Sequence, residues 1–169
     1  MEARDGGRCG GVTAMATIPE LLAQVEANGH EIWSDGPQPE AAIVALESKL
    51  GVRLPPSYRA FLAQYGGMAI YDSTTSGILG GEPLDESAGS LYGDTLRFRN
   101  EWNLPSHLLV IQPDEDAPYC LDTRSPSATG ELPVVCYELH STHENRIASD
   151  FDDWIRRFFL EAWVAESAG

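Results

Sequence analysis

Apolar positions along this chain recur at two periods, and the change falls near residue 67. Before it the spacing is helical. From Ile18, IPELLAQVEAN carries Leu21, Leu22 and Val25 on one side and stops at Gly29. The turn-rich SDGPQP follows. PEAAIVALESKLG then predicts a second helix with Ile43, Leu46 and Leu50 as its stripe and Gly51 as its stop. LPPSYRAFLAQYGG (Leu54 to Gly67) predicts a third. Pro55 and Pro56 suit a first turn, and Tyr58, Phe61, Leu62 and Tyr65 fall on one face. Gly66 supplies a left-handed stop. The glycine pair is no phosphate loop, because such loops precede the helix and aim its free N–H groups at the anion.

After Gly67 the pattern becomes strand-like. MAIY reads as a short strand. STTSGILGGEPLDESAGS reads as a long loop holding a short strand at Ile78 and Leu79. LYGDTLRFRNEWNLP predicts a helix with Leu91, Thr95, Phe98 and Trp102 on one side. LLVIQ (108–112), YCLDT (119–123) and PVVCYEL (133–139) are apolar, β-rich runs. The short PDEDAP turn and a polar loop join them into an antiparallel meander. The last element, ASDFDDWIRRFFLEAWVAE, predicts a helix capped by Ser149 with Asp152 completing a capping box. Its apolar face is Phe151, Trp154, Ile155, Phe158, Ala162 and Trp163, a stripe expected to be core. Helices, then strands, then a helix give an α+β fold: a mostly antiparallel sheet with helices packed on one face. Residues 17–166 form one domain, and the Gly-rich residues 1–16 read as a flexible tail.

Composition adds one strong fact. The formal net charge is −15, from 26 acids against 11 bases, so the surface repels nucleic acid and attracts a basic partner. No apolar run spans a bilayer, and MEARDGGRCGG lacks the apolar centre of a secretory signal. A cytoplasmic protein is expected, with no membrane partner. Cys9, Cys120 and Cys136 form neither a disulfide framework nor a zinc knuckle, and the latter two are expected as buried thiols.

Candidate chemistry is sparse. HSTHEN places His140 and His143 beside Glu144, but in a loop and without a third ligand. His30 and His107 read as isolated. Cys120 lies among acids that raise a thiol pKa, and no serine sits in a nucleophile elbow. No catalytic residue, metal or cofactor is expected. Acids instead gather in loops: Glu82, Asp85 and Glu86, then Asp114, Glu115 and Asp116. A binding module is favoured over an enzyme.

The order LESKLGVRLPPSYRAFLAQYGG, a strand, an acidic loop, EWNLPSHLLVIQPDEDAPYCLDT, PVVCYEL and DFDDWIRRFF resembles the SUKH superfamily over roughly residues 39–162. That superfamily includes the Smi/Knr fungal regulators of cell-wall assembly and bacterial immunity proteins paired with polymorphic toxins. PDEDAP departs from the glycine-rich turn many members carry between their central strands. The resemblance implies a non-enzymatic protein that binds and neutralises a basic toxin domain of nuclease or deaminase type. The expected partner-binding residues are Tyr71, Asp72, Glu82, Asp85, Glu86, Asp114, Glu115 and Asp116. The competing expectation is an intracellular scaffold or regulatory module, as in the fungal members.

Overall fold

The computed structural model describes residues 16–166. Nearly all of the expected N-terminal tail, residues 1–15, lies outside the described residues. Helix α1 (Ile18–Ala27) starts at a capping box between Thr17 and Glu20. Strand β1 (Ile32–Ser34) follows, then α2 (Glu40–Leu50) and α3 (Pro56–Gln64). A hairpin of β2 (Met68–Ile70) and β3 (Ser73–Thr75) leads through a long loop to α4 (Leu91–Trp102). Strands β4 (Leu108–Gln112), β5 (Tyr119–Asp122), β6 (Val134–Tyr137) and β7 (Glu144–Ala148) form the meander. The chain closes with α5 (Phe151–Trp154), a π-helical segment (Ile155–Leu160) and α6 (Glu161–Val164).

The strands make two antiparallel sheets, ordered β1-β2-β3 and β4-β5-β6-β7. Leu109, Ile111, Leu121 and Val134 point from one face of the larger sheet into the main core with α1, α2, α3 and the C-terminal helix. Val110, Cys120, Val135 and Tyr137 point to the other face, where Phe98 of α4 covers them. The α+β class is as expected, with α4 closing the second face. No described helix is long and apolar enough to cross a membrane.

Helix α3 follows its sequence. Tyr58, Phe61 and Leu62 are buried, and Tyr58 donates to the Ser76 carbonyl at 2.6 Å. Gly66 has φ 75°, and its N–H bonds the Leu62 carbonyl at 3.0 Å, closing the helix. A side chain there would strike the Gly36 carbonyl, while the Gly66 carbonyl itself accepts from Ile78 N–H at 2.7 Å. The glycine pair therefore serves a close backbone crossing.

Four expectations change. Strands β1, β3 and β7 are additional: STT and the start of ENRIA fall in expected loops, and IWS runs from an unassigned stretch into the SDGPQP turn. IWS, STT and ENRIA are short and largely solvated, so they lack an apolar alternation. Leu79 makes only an isolated bridge to Glu82, and Ile78 lies in no strand. Asp150 caps the last helix in place of Ser149, accepting the Asp153 N–H at 2.7 Å. The π-helical segment inserts one residue into the 3.6 period. Phe159 and Leu160 are consequently buried, and Phe158 is turned outward.

Candidate functional site

The β2–β3 connection is a two-residue turn, since Ile70 pairs directly with Ser73. Tyr71 and Asp72 form its tip. Tyr71 is 88% exposed and has φ 55°, a region bulky residues avoid. Strand β3 packs alongside β4, and Ser76 N–H bonds the Ile111 carbonyl at 2.7 Å. That pairing carries the hairpin tip towards the turn after β4.

The turn itself is built by Asp114. Its Oδ1 accepts the N–H groups of Asp116 and Ala117, both at 2.9 Å. This Asx-type turn reverses the chain without glycine and leaves Glu115 and Asp116 in solvent. A bulge between Val110 and Gln112 re-aims the end of β4.

Asp72, Glu101, Asp114, Glu115 and Asp116 meet around one open hollow of about 940 Å³, with Arg97, Trp102 and His140 also in its wall. Five carboxylates thus share the hollow. Its arginine is already committed, because Arg97 pairs with the buried Asp94 at 2.9 Å. Asp94 also accepts from Ser76 Oγ at 2.6 Å and from Gly89 N–H, fixing α4 to the loop before it. His140 stacks edge-on against Trp102 at 5.4 Å and faces Asp116 at 3.9 Å.

The other predicted acids lie apart. Glu82, Asp85 and Glu86 ride the 79–90 loop and do not line this hollow. Asp85 accepts the Ser87 N–H at 2.7 Å, and hydrogen bonds from Ser87 hold its carboxyl below the usual range. Its carbonyl accepts from Ser90 Oγ at 2.6 Å, anchoring the loop to the start of α4. Glu101 escaped the sequence reading, while Trp102 was read only as part of a helix face and His140 only as a metal candidate. They come from α4 and the β6–β7 turn, and no local motif marks them as lining an acidic hollow.

Cys120 is fully buried, and burial pushes its thiol well up, with Cys136 and Glu144 adding to the shift. His107 is not isolated. Its Nε2 lies 3.0 Å from Glu144 Oε2, and Asp122 completes a group of three donors within 4.8 Å of one another. Arg124 fills the group, reaching Asp122 Oδ2 at 2.8 Å and Glu144 Oε1 at 2.9 Å. Burial pushes the Asp122 carboxyl up, but the Arg124 hydrogen bonds and charge outweigh it and hold it below the usual range. The cluster is a hydrogen-bonded network in which one guanidinium, Arg124, bridges both carboxylates.

Comparison with known proteins decides the family. The profile of the SMI1 / KNR4 family (SUKH-1) matches residues 37–157. The chain belongs to that family. A solved structure with the same fold is the crystal structure of a protein from Pseudomonas syringae pv. tomato. It is 17% identical with a TM-score of 0.58, over 85% of this chain and 99% of that one. The SUKH-1 match spans the acidic hollow, from Asp72 to His140. It leaves out β1, α1 and α6.

Proposed function

We propose that this SUKH-1 protein is a non-enzymatic cytoplasmic immunity protein that binds a basic toxin domain, of nuclease or deaminase type, and blocks it. The observation that carries the reading is the convergence of Asp72, Glu101, Asp114, Glu115 and Asp116 on one hollow beside the exposed Tyr71. Enzymes that act on nucleic acid are basic around their substrate site. A carboxylate-lined face meets such a surface at an electrostatically raised rate and mimics the phosphates it would hold. Tyr71 and Trp102 supply the aromatic anchors that give an interface its slow dissociation. Glu82, Asp85 and Glu86 lie apart on the 79–90 loop, where they would add to the long-range attraction of a basic partner.

The test is co-expression with the toxin-domain protein encoded beside its gene. Rescue of growth by the wild-type chain supports the reading. Equal rescue by an unrelated acidic protein overturns its specificity. Recovery of several host proteins with no adjacent toxin favours the scaffold role instead.

A further inference from the structure

A second hollow, of about 800 Å³, lies between the hairpin and the C-terminal helix. Three aromatic residues, Trp33, Tyr71 and Trp163, and three acids, Glu31, Asp72 and Glu166, stand in its wall with His30. Among the described residues, no lysine or arginine lines it. Its frame is fixed from both sides. Trp33 sits on β1 opposite Ala69, and Asn28 donates to the Trp163 and Val164 carbonyls, docking α6 on the end of α1. The His30 ring packs edge-on against Trp163 at 4.9 Å. Trp33 and Tyr71 are 56% and 88% exposed, so their rings are open to a ligand.

We infer that this hollow is a cation-recognition site that takes an arginine side chain of the partner protein. Electron-rich ring faces attract a cation, and the carboxylates complement its charge. A purely apolar anchor would desolvate the acids without compensation, and an anion would be repelled. Arginine suits the site best, because its planar guanidinium stacks on rings while forking to carboxylates. Asp72 lines both hollows, so the site continues the acidic face. The arginine chemistry stands on this hollow alone; only its source in a toxin rests on the proposed function. Glu31, Trp33, Trp163 and Glu166 lie outside the SUKH-1 match, and Tyr71 and Asp72 lie within it.

The test titrates the full chain with N-acetyl-arginine amide, followed by tryptophan fluorescence and ligand-observed NMR. N-acetyl-citrulline amide, the neutral counterpart, is the control. Saturable arginine binding at least tenfold tighter than citrulline is expected. Trp33→Ala and Tyr71→Ala should each weaken it by about 3–10-fold, the range of a partly exposed cation–π contact. Circular dichroism confirms that these variants fold. Equal binding of arginine and citrulline, or no binding, overturns the inference, as does a Trp33→Ala variant with unchanged affinity. The proposed function fails differently: growth rescue would be absent for the wild-type chain whatever the arginine probe does.

Discussion

Replacing Tyr71 with glycine should stabilise the protein while weakening partner binding. Tyr71 holds φ at 55° in the two-residue turn between Ile70 and Ser73. A left-handed backbone costs a residue with a Cβ about 1–2 kcal/mol, and glycine avoids that cost. Glycine loses about 0.5–1 kcal/mol through the extra freedom of its unfolded chain. The tyrosine side chain is 88% exposed, so its removal forfeits little burial. The balance is a gain of about 0.5–1 kcal/mol. With a urea slope of about 2 kcal/mol per M, the unfolding midpoint should rise by about 0.3–0.5 M. Affinity for the partner should fall at least tenfold if the ring is an interface anchor, about 1.4 kcal/mol or more. A lower midpoint would refute the strain argument. A raised midpoint with unchanged affinity would keep the strain and remove Tyr71 from the interface.

Three further outcomes follow from the geometry. Phe159→Ala should cost about 3–5 kcal/mol in chemical denaturation and Phe158→Ala under about 1, whereas an unbroken α-helix would reverse the order. Stability should fall with acid below about pH 4. Hydrogen bonds from Arg157 hold the Asp153 carboxyl below the ordinary aspartate range, and those from Arg124 outweigh burial to hold Asp122 below it too. Their contribution is therefore complete above the unfolded pKa and is lost as pH falls towards the folded values. Urea midpoints measured from pH 6 to 3 check this, and Asp122→Asn should flatten part of the decline. Changing Asp114, Glu115 and Asp116 to Asn, Gln and Asn should slow association more than it speeds dissociation. It should also weaken the salt dependence of the on-rate between about 50 and 200 mM.

The helices were legible because their apolar spacing is set by a buried face, as in Tyr58, Phe61 and Leu62. The central strands were legible because burial on both faces makes LLVIQ and PVVCYEL almost wholly apolar. Strands such as STT and ENRIA were not, since they hold their place through ladder hydrogen bonds that any side chain permits. The π turn left no mark in composition, so the face of the last helix was misphased by one residue. At the site, the acids of the PDEDAP turn and the hairpin tip were visible as loop residues. Their meeting depends on β3 lying beside β4, a long-range contact. Glu101 and His140 join them only through that fold, and the 79–90 acids separate from them for the same reason. His107 looked isolated because Asp122 and Glu144 reach it from β5 and β7, distant in sequence.

The most direct test of the account is growth rescue by a variant of the acidic hollow. Cells expressing the adjacent toxin domain would carry either the wild-type chain or Asp72→Asn/Asp114→Asn/Glu115→Gln/Asp116→Asn, at equal folded levels. Rescue by the wild type and its loss in the variant is the predicted result. Full rescue by the variant would contradict the claim that this face binds the toxin.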